Sequence, residues 1–191
     1  MGFRSAVLLT LLFVVLGSFA TVRAADSVPL QSGAAALGPQ NSKLQFVCAH
    51  VGAKPDPRKG SFGKFTGKAQ VEGQALKSLT VEIDTTSIST EFEKLTTHLK
   101  SPDFFDVRRF PTAKFESTKI TPGTGSSQVT GKLTMHGVTK EISFPATVEI
   151  GPSGLSLKSE FSIDRSEFGM NYDPTKVENK VFLTVIVGEK S

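Results

Sequence analysis

The sequence predicts an all-β fold: an eight-stranded antiparallel barrel with one short helical insertion. Three observations predict it. From Lys43 onward apolar residues recur with a period of two rather than 3.6. Gly, Pro, Asn and Asp clusters cut that pattern into short runs at hairpin spacing. Only Glu91 to Lys100 breaks the rhythm, with Leu95 and Leu99 following Phe92 along one helical stripe.

Two segments precede the strands. Met1 to Arg4 carries a positive charge, Ala6 to Leu16 is apolar except for Thr10, and Val22-Arg23-Ala24 ends in small residues. That is the layout of a secretory signal peptide over residues 1–24. The apolar run falls short of the roughly 20 residues a membrane span needs, so no integral membrane segment is expected after cleavage. Residues 25–41 are rich in Ala, Gly, Ser and Pro and read as a flexible leader. The domain is placed at 42–191.

The eight runs are 43–51, 61–72, 76–84, 112–120, 127–135, 138–150, 155–164 and 179–188. In the sixth, Ile142, Phe144, Ala146, Val148 and Ile150 share one face, with Glu141, Ser143, Thr147 and Glu149 on the other. In the third, Leu79, Val81 and Ile83 alternate with Thr80, Glu82 and Asp84. In the fourth, Ala113 and Phe115 alternate with Lys114 and Glu116. The last run, Val181 to Val187, is apolar almost throughout and is either covered on both sides or closes the sheet. His136-Gly137 reads as a tight hairpin with Gly at positive φ. Gly63 and Gly67 read as bends at a barrel corner. For the helix, Thr90 is the expected cap, with Glu93 completing a capping box, and Pro102 is the stop.

Short antiparallel strands need their edges hidden, and closure into a barrel hides them. About eight strands leave an interior that side chains fill or that holds one small ligand. The chain has 15 Phe, one Tyr and no Trp. Such an interior has few polar handles and suits an apolar guest, although the same rings also serve as ordinary core. Removing residues 1–24 takes away two arginines and no acid, so a formal charge of +4 falls to +2. The charges are interleaved, which argues against nucleic acid as a partner. Nothing in the sequence sets the oligomeric state, and a homodimer is one option.

Little points to catalysis. His50, His98 and His136 lie on three elements without metal-ligand spacing, and no metal or cofactor is expected. His98 near a helix end is favoured by the helix dipole. No Gly-x-Ser-x-Gly elbow occurs. Cys48, the single cysteine, sits between Phe46 and His50 on one strand face and reads as a buried, inert thiol. Arg165, in the Asp164-to-Gly169 turn, either ties the barrel end shut through a carboxylate or faces a ligand head group.

Five ordered stretches resemble one known family. They are Phe46-Val47-Cys48-Ala49-His50-Val51-Gly52; Gly60-Ser61-Phe62-Gly63-Lys64-Phe65-Thr66-Gly67; the run from Ser87 through His98 and Phe104-Phe105 to Phe115; Gly131 to Lys140 around His136-Gly137; and Arg165-Ser166-Glu167-Phe168-Gly169. Together they span 43–188 and resemble the YceI-like family of lipocalin-like, polyisoprenoid-binding exported proteins. The resemblance implies an extended barrel whose tunnel holds a long-chain apolar lipid, a polyprenyl chain or quinone, in an exported, periplasmic or secreted protein. By position, His50, His136 and Arg165 are motif residues, and Phe104 and Phe105 lie near the mouth. The expected ligand-facing set adds Phe46, Phe62, Phe65, Val81, Ile83 and Phe115, then Leu133, Ile142, Phe144 and Phe161. Two departures fall at the rim: a proline-containing stretch between Gly52 and Gly60, and Thr97 where an acidic residue is common.

Three functions are weighed. The first is a lipid-binding module serving as carrier, store or protector. The second is an enzyme acting on a lipid or quinone, with His136 and Asp164 as its acid–base candidates. The third is a solid-cored structural barrel.

Overall fold

The structure is a computed structural model that describes residues 27, 29–30, 33–52 and 56–188. The signal peptide assigned to 1–24 lies outside the described residues. The strands, in order, are β1 (Ala34–Leu37), β2 (Ser42–Ala49), β3 (Pro57–Phe62), β4 (Phe65–Glu72), β5 (Ala75–Asp84) and β6 (Ile88–Thr90). Helix α1 (Glu93–Lys100) follows, then β7 (Thr112–Thr121), β8 (Ser127–Met135), β9 (Val138–Gly151), β10 (Gly154–Asp164) and β11 (Lys180–Val187).

These eleven strands make eight staves. Strands β1 and β2 run in one direction, and both pair antiparallel with the β3–β4 stave: β1 with β4, β2 with β3. Strands β5 and β6 form the next stave, β5 on β4 and β6 on β3. From there β5, β7, β8, β9, β10 and β11 pair in succession, and β11 returns to β2 with Phe182 opposite Val47. Every pairing is antiparallel, and closure through β11–β2 leaves the last, apolar strand inside the ring of pairs.

The corner that splits two staves is made by hydrogen bonds. Asp84 Oδ1 accepts from Thr86 N at 2.9 Å, and Ser87 Oγ accepts from Lys64 N at 2.9 Å while donating to Asp84 O at 2.6 Å. The bend therefore does not come from glycine freedom. Gly63 has a side-chain-compatible backbone, with Ser87 O at 3.7 Å from where a Cβ would stand, and Gly67 is needed because a Cβ there would meet Thr80 O at 2.6 Å. At the β8–β9 hairpin both central residues take positive φ, His136 at 52° and Gly137 at 75°. This is the twist-matched two-residue turn, and the Phe110 ring lies 2.6 Å from where a Gly137 Cβ would be.

Two expectations are corrected. Ala34–Leu37, read as leader, is a strand: Ala35 is fully buried, Leu37 is 5% exposed, and both join the core. Its small side chains allow the close approach to β4. Thr90 does not cap α1. It is still paired with Gly60 as the last residue of β6, so the helix starts later, with Phe92 in the capping position and no side-chain cap. Thr90 instead bonds Thr96 Oγ1 at 2.9 Å. Phe92 leaves the stripe and is 50% exposed.

The core follows the period-two pattern. Val129, Leu133 and Met135 of β8 pack with Phe144 and Ala146 of β9 and Leu155 and Leu157 of β10. The Phe144 ring stacks on Phe161 at 4.3 Å and contacts Phe115 at 5.4 Å.

Candidate functional site

The inward faces of these staves enclose three chambers in a row. An outer vestibule of about 470 Å³ is bounded by the end of β2, by α1 and by residues 172–177. A middle chamber of about 120 Å³ shares Phe46, Cys48, Leu99 and Phe104 with the vestibule. An inner chamber of about 100 Å³ shares Phe62, Ile83, Leu133 and Leu183 with the middle one. Shared walls make these successive parts of one passage, divided by side chains rather than by backbone. A larger depression of about 660 Å³, at Gly63, Lys64, Glu82 and Asp84, shares no lining residue with the three chambers.

Alternation along the strands builds the passage. Phe46 and Cys48 point in from β2, Val81 and Ile83 from β5, and Leu133 from β8. Ile142 and Phe144 of β9 and Phe161 of β10 surround the inner end with Phe115. Gly60 lets Phe46 lie flat against β3, because a Cβ there would collide with the Phe46 ring and would stand 2.8 Å from Ser89 O. Phe62 bridges the chambers, with its ring 5.9 Å from Phe46 and 5.7 Å from Phe105.

The vestibule adds polar side chains to a largely apolar wall, whereas the inner chambers expose no polar surface. His98 Nε2 lies 2.8 Å from Asp103 Oδ2, and the His98, Phe104 and Tyr172 rings contact one another at 4.8–5.1 Å. Among the described residues, the Arg and Lys that line the vestibule each have a carboxylate: Arg58 pairs with Asp56, and Lys176 Nζ lies 2.7 Å from Asp173 Oδ2. Burial pushes the Cys48 thiol above its ordinary pKa, against the opposing pulls of the Ala49 backbone hydrogen bond and the Arg165 charge. A thiol held neutral is a poor nucleophile.

Arg165 forms the floor on the mouth side. It is 2% exposed and donates to four backbone carbonyls: Met170 at 2.6 Å, Tyr172 at 2.6 Å, Val177 at 3.0 Å and Glu178 at 3.1 Å. Its guanidinium stands 5.7 Å over the Phe104 ring. Among the described residues no carboxylate hydrogen-bonds to it, so it ties the 170–178 segment to the barrel through carbonyls while lining the middle chamber. Burial lowers its pKa from the usual value.

Of the residues expected to face a ligand, all but Phe65 and His136 line the three chambers. Phe65 is buried at the corner outside them. His136 belongs to the hairpin, with Nδ1 3.1 Å from Phe168 O and its ring against Phe110 at 4.6 Å. Asp164 accepts from Ser166 N at 2.8 Å in a turn. Neither His136 nor Asp164 lines a chamber, so the pair weighed as acid and base is not presented to the passage. Sequence reasoning missed Leu99, Tyr172 and Leu183. The alternation of Val181, Leu183 and Val185 held the signal for Leu183, but a run apolar on both faces hid it. Among the described residues no three His, Cys, Asp or Glu side chains converge on a metal-sized site, and no helix is long and apolar enough to cross a membrane.

Comparison with known proteins matches residues 36–187 to the model of the YceI-like domain. The chain belongs to the YceI-like family. A UPF0312 protein of Shewanella denitrificans is 31% identical over 177 residues, covering 87% of both chains. A UPF0312 protein of Vibrio parahaemolyticus is 34% identical over 109 residues, 56% of this chain and 57% of that one. The chain thus spans only part of some YceI-like relatives that it matches. Among solved structures, Burkholderia cenocepacia BcnA superposes with a TM-score of 0.70 at 25% identity, covering 76% of this chain and 94% of that one. A polyisoprenoid binding domain from Saccharophagus degradans gives a TM-score of 0.61 at 12% identity, covering 82% and 99%, and at that identity it shares the fold alone. The family match begins inside β1, in agreement with the strand found there.

Proposed function

We propose that this protein is exported and binds a long-chain isoprenoid-type lipid, a polyprenyl chain or quinone, in the barrel interior as a carrier, store or protector, without catalysing its conversion. The observation that carries the reading is the passage itself. Three chambers in line are walled largely by Phe, Leu, Ile and Val, and only the outermost adds several charged and polar side chains at its rim. That shape suits a long, thin apolar chain with a polar end. Each buried CH₂ contributes about 0.8 kcal/mol, so a chain threaded inward needs no specific polar contact to bind tightly. The solved domain from Saccharophagus degradans, described as polyisoprenoid-binding, has the same fold.

The vestibule favours an uncharged head. Arg58, His98 and Lys176 each already face a carboxylate, and Arg165 is committed to carbonyls. A phosphate would have to displace one of these partners, whereas a quinone carbonyl or a hydroxyl needs only a hydrogen bond.

The test is to express the full coding sequence, purify without detergent, extract with organic solvent and analyse the extract by mass spectrometry. Near-stoichiometric prenyl lipid or quinone is expected. An empty extract from folded protein, together with failure to take up added prenyl quinone, would overturn the reading.

A further inference from the structure

Strands β11, β2 and β3 lie side by side and contain Lys43, Arg58, Lys59 and Lys180 but no Asp or Glu. Since Phe46 and Cys48 point inward, the alternate residues Lys43, Gln45, Val47 and Ala49 form the outer face of β2. Phe182 stands opposite Val47 on this outer face, and Lys59 stands opposite Val47 on the other side. Phe182 is 53% exposed, and the Lys180 ammonium sits 5.3 Å from its ring centroid. Two residues beyond Ala49, Val51 is 45% exposed and lines the vestibule. The stripe Phe182–Val47–Ala49–Val51 therefore runs along the outside of the barrel to its mouth, with lysines on both sides. Two acids border it: Glu178, before β11, whose N–H donates to Ala49 O, and Asp164 of β10, which stands opposite Lys180.

We infer that this stripe docks the barrel mouth on an anionic lipid bilayer. Singly exposed apolar residues are ordinary on a protein surface, but here an exposed aromatic, an apolar stripe, flanking lysines and the mouth of an apolar passage coincide. Aromatic and apolar side chains settle at the headgroup boundary while lysines meet anionic headgroups. A cargo insoluble in water then passes between bilayer and vestibule without crossing solvent. The inference rests on the lipid-binding reading for its purpose, but the surface is tested without reference to cargo.

The test is co-sedimentation of the protein with vesicles of phosphatidylcholine alone and of phosphatidylcholine mixed with phosphatidylglycerol. Binding is expected to the mixed vesicles, weakening as salt rises. Phe182→Ser, and separately Lys59→Glu with Lys180→Glu, each weaken it by about tenfold or more. These side chains are exposed, so circular dichroism is expected to show an unchanged fold. Folded wild-type protein that ignores the mixed vesicles overturns the inference, as do variants that bind like wild type. Gel filtration in which Phe182→Ser splits a dimer also overturns it, since a second copy then covers the stripe. Solvent extraction of the same samples reads cargo separately, so lost docking with retained lipid is distinguished from an empty barrel.

Discussion

Leu183→Trp is the sharpest test of the passage. Leu183 lines both the middle and inner chambers, so a larger side chain there closes the junction between them. The indole has existing space to enter, about 120 Å³ on one side and 100 Å³ on the other. Each is several times the ~30 Å³ share of one water molecule, so the overpacking penalty of a tight core is avoided. The inner chamber then becomes unreachable. It holds about three carbon-sized groups at ~30 Å³ each. At about 0.8 kcal/mol per buried CH₂, excluding them removes roughly 2.4 kcal/mol, or about 60-fold in affinity at ~1.36 kcal/mol per decade. The assay is competitive uptake of prenyl quinones of increasing length, with urea unfolding as a control. Wild type is expected to favour longer chains up to the depth of the passage, and Leu183→Trp to lose that preference while binding short chains as before. Unchanged affinity for the long chains in a stable Leu183→Trp protein would refute a passage that runs through this junction.

Three further outcomes are expected. Phe144→Ala removes a 4%-exposed ring that stacks on Phe161 and contacts Phe115, and is expected to cost about 3–5 kcal/mol in urea unfolding; a loss under ~1 kcal/mol would mean the inner wall collapses freely. Arg165→Met leaves four carbonyls without their donor and is expected to destabilise by at least about 3 kcal/mol, with Arg165→Lys recovering only part because an ammonium cannot spread over four acceptors; a Met variant as stable as wild type would sink the tie assigned to Arg165. Burial raises the Cys48 pKa, so the folded protein keeps a proton that the unfolded chain releases. Stability therefore falls as pH rises from the ordinary thiol range, about 8.5, toward the raised value. Cys48→Ala is expected to flatten that part of the urea-midpoint profile, and an equal slope in both proteins would contradict it.

The barrel was legible because period-two patterning is local. Ile142 to Ile150 alternates, and the structure places Phe144 and Ala146 in the core. Signals carried by one or two residues failed more often. A Thr three residues before a Glu looks like a cap wherever it occurs, but the pairing of Thr90 with Gly60, thirty residues away in sequence, moved the helix start. Ala34–Leu37 looked like leader because alanine carries little pattern; its burial depends on β4 being present to cover it. His136 is conspicuous in sequence yet serves a turn, since a positive-φ residue in a two-residue hairpin points its ring where the hairpin, not the barrel, directs it.

By itself the sequence determined which faces are apolar, where the turns fall and that the strands pair antiparallel, because these follow from side-chain alternation and from the backbone limits of Gly and Pro. Only the tertiary structure decided which walls face a common space. Closure through β11 and β2 brings Leu183 across from Phe62 and Ile83, and the fold of residues 170–178 around Arg165 sets Tyr172 and Lys176 at the mouth. The Leu183 contacts join residues a hundred or more positions apart, and no local period encodes a distance of that kind.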